Sequence, residues 1–272
     1  MAQPAADAGG PGFALAILDG WPMLKTELHI HTSDDRVDLI PYSTFELIDR
    51  AAHLKYQALA ITLHGHQLDL GPFRAYAQDR GIVLIAGVER TICGKHVLLL
   101  NFPAEADRVI SFEEVAALKA RCHGLVIAPH PFYPAPNCLG RLLTTHASLF
   151  DAVEFNYFYT RRLNQFNLAA QRWAHHHGKP VVANTDVHRL EQLGPTYSLV
   201  DAEPHADAIC SAIRSGRVEI RTEPITLTHA IAHFGSLTVG GIRGRLRGRL
   251  RARSKAEAVP VGYQTLVNES DQ

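Results

Sequence analysis

Residues 27–35 read Glu-Leu-His-Ile-His-Thr-Ser-Asp-Asp. The apolar run from Leu24 to His31 has the character of a β-strand, and it ends in two histidines two positions apart. Side chains alternate across a strand, so His29 and His31 share one face at its C-terminal end. Two imidazoles placed this way can share one metal ion.

Outward from this stretch the chain alternates short apolar runs with helical segments. Ser43 and Glu46 form a capping box that opens a helix reaching to about Tyr56. Ala58 to Thr62 is a second strand, and Gly71 to Gly81 is a short helix stopped by its glycine. Ile82 to Glu89 and His96 to Phe102 are strands joined by a link too short for a helical crossover, which calls for a hairpin. Ser111 with Glu114 opens a helix ending near Gly124. Leu125 to Ala128, Asp151 to Asn156 and Val181 to Asn184 are the fifth, sixth and seventh strands. A helix over Arg162 to His177 separates the last two. A helix from Pro204 to Ser215 and a strand from Val218 to Thr222 complete the pattern. Such alternation implies an α/β architecture, a mostly parallel sheet or barrel, with no linker dividing it.

Composition agrees with a single large unit. The chain has 272 residues, 46% of them hydrophobic, enough for a sizeable core. The 27 basic and 27 acidic residues cancel, so bulk charge selects no partner. No apolar run approaches the ~18 residues of a membrane span, and the first 23 residues hold no Lys or Arg to start a secretory signal. A soluble, cytoplasmic protein is expected. Cys93, Cys122, Cys138 and Cys210 form no CxxC pair and suit free thiols better than a disulfide scaffold or zinc knuckle.

Sixteen histidines are the compositional anomaly. His29 and His31 end the first strand, His64 follows the second, Glu89 ends the third, and His130 follows the fifth. Asp186 and His188 follow the seventh. The C-terminal ends of parallel strands open on one face of an α/β barrel, where active sites assemble. His96 begins a strand, yet the hairpin brings it beside Glu89. Six histidines and two carboxylates thus converge on one rim. Imidazole with carboxylate suits Zn, Mn or Fe and is too rich in nitrogen for Mg or Ca alone. His66 is a candidate substrate contact. The run His175 to His177 fits the negative end of a helix dipole, and the remaining histidines occupy no strand end.

The motifs ELHIHTSDD (Glu27 to Asp35), AITLH (Ala60 to His64), GVE (Gly87 to Glu89), KHVLLL (from Lys95), APHP (Ala128 to Pro131) and NTDVH (Asn184 to His188) give the chain a resemblance to the PHP superfamily, named for its polymerase and histidinol-phosphatase members. The resemblance spans about residues 24–200. It implies a distorted seven-stranded barrel of the PHP type with a C-terminal extension, binding up to three divalent ions. It further implies one ion on His29, His31, Glu89 and Asp186, and a second on Glu89, His96 and His130. A third falls to Asp35, His64 and His188, with Asp34 as an alternative to Asp35. Leu63 stands where the family usually has an acidic residue.

Ions clustered in this way activate water for attack on a phosphate ester, so no Ser or Cys nucleophile is needed. The expected function is a metal-dependent phosphoesterase, with Asp186 or His188 able to move a proton. Arg161 and Arg162, beyond the sixth strand, are candidate phosphate contacts. Tyr133, Asn156 and Tyr157 are candidates for the pocket wall. A phosphorylated small molecule or a short oligonucleotide is the expected substrate. The alternatives are a 5′ to 3′ exonuclease and a metal-binding regulatory module without turnover.

Residues 1–23 read as a flexible leader, 24–235 as the hydrolase domain and 236–272 as a basic tail. Arg243, Arg245, Arg247, Arg249, Arg251, Arg253 and Lys255 crowd the tail with no acid among them. That stretch could contact a polyanion, dock on the protein itself or remain unstructured.

Overall fold

The computed structural model describes residues 23–226 and Thr228. Its order is β1 (Met23–Ile30), α1 (Thr44–His53), β2 (Ala58–Ile61), α2 (Gly71–Gln78), β3 (Val83–Ile92), β4 (Lys95–Leu100), α3 (Phe112–Arg121), β5 (Leu125–Ala128), α4 (Arg141–Thr145), β6 (Ala152–Asn156), α5 (Gln165–His176), β7 (Val181–Asn184), β8 (Tyr197–Asp201), α6 (Ala206–Arg214) and β9 (Val218–Arg221). Among the described residues, one sheet holds all nine strands in the order β7-β6-β5-β4-β3-β2-β1-β8-β9. β4 and β8 run against their neighbours. The expected seven-stranded barrel is therefore a mixed sheet of nine.

The sheet nearly closes. Ser198 on β8 accepts the Ala183 amide at 2.8 Å and donates to its carbonyl at 3.1 Å. The His31 amide donates to the Val187 carbonyl at 3.1 Å, and the Val187 amide to the His29 carbonyl at 3.1 Å. These bonds tie β7 and the segment after it to β1 and β8, so few backbone groups are left at an open edge.

Local signals account for most elements. Ser43 accepts from the Glu46 amide while the Glu46 side chain accepts from the Ser43 amide, the reciprocal capping box. The first helix stops at His53, short of Tyr56, because Lys55 turns into the left-handed region at φ 63. Between β3 and β4 both strands run further than expected, leaving only Cys93 and Gly94 to turn, at φ 50 and 77. Two consecutive positive φ values give the tight hairpin whose twist matches the flanking strands. β8 escapes a reading from sequence because its five residues, Tyr-Ser-Leu-Val-Asp, offer little apolar periodicity. Its Ser198 side chain is buried in the barrel closure.

The two ends of the barrel differ. At the end where the parallel strands begin, α6 packs Ile209, Cys210, Ala212 and Ile213 against Leu24, Ala58, Leu125, Ala152 and Val182. A second apolar layer under α1 and α2 includes Ile30, Leu47, Ile48 and Leu59, and a third under α3 and α5 includes Val97, Leu118, Phe150 and Val153. The opposite end is polar.

Candidate metal centre

At that polar end β1 changes phase. Thr26 pairs with Ala58 and Glu27 with Leu59, but Ile30 pairs with Ile61, so β1 carries one extra residue. This bulge re-aims the strand. Leu24 and Leu28 face the apolar plug, whereas beyond the bulge Ile30 packs under the helices and His29 and His31 turn into the barrel. β3 supplies Glu89 from its interior rather than its end, because it continues past β2 and meets it again only at an isolated bridge between His64 and Glu89. Gly87 permits this crossing: a Cβ there would lie 2.8 Å from Leu100 Cδ2 and 2.9 Å from Thr62 Cγ2. His96 pairs with Thr91 across the hairpin and returns its ring to Glu89.

Glu89 is the hub. Its Oε2 lies 3.5 Å from His29 Nε2, 3.4 Å from His31 Nε2 and 3.1 Å from His64 Nε2. Its Oε1 lies 2.5 Å from His96 Nδ1 and 3.5 Å from His130 Nε2. Asp186 Oδ1 completes the first group at 3.3 Å from His29 Nε2 and 3.4 Å from His31 Nε2. Asp186 and His130 hold positive φ, 52 and 29, strained backbone of the kind that clusters at functional sites.

These spacings are those of ligands around an ion. Four donors about 2.0–2.1 Å from one ion stand about 3.3–3.4 Å apart in a tetrahedron. His29 Nε2, His31 Nε2 and Asp186 Oδ1 are also buried without a hydrogen-bond partner. Each such orphan costs about 1–3 kcal/mol unless something binds it, and here the orphans face one another. The donor set therefore fits divalent ions of the Zn, Mn or Fe kind. Three overlapping groups are spaced to hold an ion, with His29 and His31 each belonging to two of them: His29, His31 and Asp186; His29, Glu89 and His130; His31, His64 and Glu89.

Electrostatics point the same way. Burial opposes charge on Glu89 and Asp186, but His29 and the other imidazoles hold both carboxyls well below their usual range. Burial likewise disfavours a proton on His29, yet Asp186, Glu154 and Glu89 pull it well above its ordinary value. A cation is wanted at this place, and an ion arriving there displaces protons.

Behind the cluster stand residues that aim it. Asp35 Oδ2 is 3.0 Å from His31 Nδ1 and 3.0 Å from His64 Nδ1, so this carboxylate, expected beside His64 and His188 on a third ion, grips two rings from behind. Asp34 instead accepts from Thr32 and Thr44, away from the imidazoles. Glu154, on β6, is 2.9 Å from His29 Nδ1 and also accepts from Asn156, Asn184 and the His130 amide. Glu27 accepts from the amide and hydroxyl of Thr185, and burial pushes its carboxyl up to about 8 despite those bonds. Sequence reasoning missed Glu154 and Glu27. The signal available was a carboxylate inside an apolar strand, but alternation alone would turn it toward solvent.

The remaining candidates separate. His188 Nε2 faces Asp38 Oδ2 at 3.2 Å, and its Nδ1 lies 2.9 Å from the Asp186 carbonyl oxygen. Asp38, absent from the sequence reading, therefore stands at the mouth. His66 Nδ1 lies 3.2 Å from the His64 carbonyl oxygen, next to the rim. Arg161 and Arg162 are exposed and line a groove of about 860 Å³ with Leu163, Glu223 and Ile225, none of them a residue of the cluster. Asn156 is buried against Glu154, and Tyr133 donates to the Phe158 carbonyl at 2.8 Å. Gln192 Nε2 donates to the Tyr157 hydroxyl. The basic stretch Arg243 to Lys255 and the leader lie outside the described residues. Among the described residues, no helix is long and apolar enough to cross a membrane.

Residues 164–218 match the family model described as PHP-associated. No curated protein matches the chain. Among solved structures, a two-domain protein from Bacteroides vulgatus containing a predicted PHP-like metal-dependent phosphoesterase aligns with TM-score 0.60 at 17% identity, over 82% of this chain and 70% of that one. PsfC from Pseudomonas syringae aligns with TM-score 0.54 at 14% identity, over 82% and 98%. The lesion-specific endonuclease PfuEndoQ from Pyrococcus furiosus aligns with TM-score 0.51 at 17% identity, over 73% of this chain and 57% of that one. The PHP resemblance read from the motifs is thus shared by the family model and by the fold.

Proposed function

We propose that the protein is a metal-dependent phosphoesterase with a multinuclear centre. One observation carries this reading: three buried, partnerless donor atoms, His29 Nε2, His31 Nε2 and Asp186 Oδ1, face one another at ligand spacing with Glu89 Oε2 beside them. His29, His31, Glu89 and Asp186 would hold one ion, and Glu89 with His96 and His130 would hold a second. A third would fall to His64 and His188. Asp35 orients His31 and His64 from behind, leaving Asp38 as the carboxylate nearest His188. Ions bound there supply Lewis acidity toward a phosphoryl oxygen and lower the pKa of water. Zn, Mn and Fe all match the donors.

The chain's own residues do the rest. Asp35 and Glu154 hold the Nδ1 sides of His31, His64 and His29, which leaves each Nε2 turned to the centre. Buried walls exclude bulk water from Glu89. At the mouth, His188 Nε2 beside Asp38, when it holds no third ion, is the group placed to pass a proton to a departing alkoxide. Asp186 remains the alternative proton carrier, although its Oδ1 already faces His29 and His31. His66 is next to the rim and can meet substrate, whereas Arg161 and Arg162 would serve only a substrate that extends to their groove.

Metal analysis of the purified protein tests the reading, followed by Mn²⁺-supplemented assays with phosphomonoesters and short oligonucleotides. Bound transition metal with turnover is expected. Absence of both overturns it, and bound metal without turnover favours the regulatory module. The fold shared with an endonuclease keeps a nuclease in view as the second reading. Deleting residues 243–272 separates the substrates, because only oligonucleotide binding should lose its salt dependence.

A further inference from the structure

The two halves of the centre are supported by different chemistry. His29, His31 and His64 are each backed at Nδ1 by a carboxylate, Glu154 or Asp35. His96 and His130 have no second carboxylate behind the ring: His96 turns Nδ1 to Glu89 itself, and His130 Nδ1 faces a sulfur. Both are backed by one loop, residues 130–140, through two consecutive residues. Asn137 accepts the His96 amide on its carbonyl oxygen at 2.8 Å, and its Nδ2 lies 3.3 Å from each ring nitrogen of His96. The neighbouring Cys138 is buried, with its Sγ 3.3 Å from His130 Nδ1. The loop is itself pinned. Lys95 Nζ donates to the Pro136 carbonyl at 2.6 Å, and the Gly140 amide donates to the Pro131 carbonyl at 2.8 Å.

We infer that Asn137 and Cys138 are positioning residues that set the occupancy of the second ion separately from the first. This rests on the multinuclear reading. With Nε2 turned to Glu89, His130 carries its proton on Nδ1 and donates it to the Cys138 sulfur, which fixes both tautomer and ring plane. A carboxylate in that place strengthens the imidazole as a ligand, whereas a thiol or an amide aims the ring and adds little basicity. The ion between His96 and His130 is accordingly the weaker of the two. It fills and empties while the ion on His29, His31 and Asp186 stays bound.

Titration of metal-free protein with Co²⁺ tests this by calorimetry and by the visible absorption of the bound ion. The parent protein should show a tight and a weak phase. Cys138→Ala should weaken the second phase by roughly 10–100-fold and leave the first unchanged. Cys138→Ser, whose hydroxyl oxygen can accept the same proton, should restore most of that loss, and Asn137→Ala should act on the second phase alone. Equal effects on both phases, no effect of Cys138→Ala, or failure of serine to restore overturns the inference. Uptake of no ion by the parent overturns the multinuclear reading with it. Normal uptake by parent and alanine variant alike overturns only the role of the loop.

Discussion

The two ends of the barrel are built from the same strands and obey opposite rules. At the plugged end, α6 buries Ile209 and Ile213 against the starts of the parallel strands. Burial there is apolar and complete, and the Cys210 thiol is pushed up to about 12 by that environment. At the open end, burial is equally deep at His29, His31, Glu27 and Glu154, but every group is polar. One end lowers the free energy of folding. The other raises it until ions and hydrogen-bond partners compensate, a conflict between foldability and site typical of functional regions.

That contrast can be broken most sharply at Glu89. Glu89→Gln keeps the volume but loses the charge shared by both halves. It should lower hydrolysis by about 10³-fold or more, since the ions contribute several kcal/mol to transition-state stabilisation. Metal analysis should show the ions lost with the circular dichroism spectrum retained, and full metal content with normal turnover would refute the hub. The plugged end should respond in the opposite sense. Ile213→Ala should cost about 2–5 kcal/mol in denaturant unfolding, equally with and without chelator, while metal stoichiometry stays constant. A cost that depends on chelator would show that the two ends are coupled.

Smaller effects sharpen the picture. Glu154→Gln removes the carboxylate behind His29 and should weaken the tighter ion by roughly 10–100-fold, read by competition with a chromogenic chelator. Unchanged affinity would leave Glu154 a packing residue only. Smallest is a control far from both ends. The Glu46 carboxyl lies below its usual range because the Ser43 amide and hydroxyl donate to it. A depressed carboxyl supports the fold above its unfolded pKa, and that support is lost as pH falls through the folded value. Glu46→Ala should therefore melt below the parent at pH 7 and converge with it toward pH 3, with metal binding unaffected.

How much was legible in advance depended on the range of the signal. Ser43 with Glu46, the glycine stop at Gly81 and the short apolar strands are local, and they marked those elements. The converging histidines were visible because each sits at a strand end that one architecture gathers together. Glu154 was not visible, since the partner that explains it, His29, lies on a strand far away in sequence. Val-Glu-Phe in β6 reads equally well as a strand with one face in water, and only closure of the sheet buries that face. Asp35 was noticed, but its partners could not be told from spacing, because the choice between facing an ion and backing two rings is set by the loop's path. The extent of β3 was misjudged for a related reason: its turn uses Cys93 at positive φ, a residue type that rarely marks a hairpin.

The bulge in β1 has a consequence for how this strand tolerates change. Because one extra residue lies between Glu27 and Ile30 in the pairing, the strand holds two alternation phases, one serving the plug and one serving the centre. Were the same residues paired without the bulge, unbroken alternation from Leu24 and Leu28 would turn Ile30 into the barrel and the two imidazoles beneath the helices. The chain would retain its composition and lose its chemistry, so the bulge acts as a phase lock between the part of the molecule that folds and the part that works.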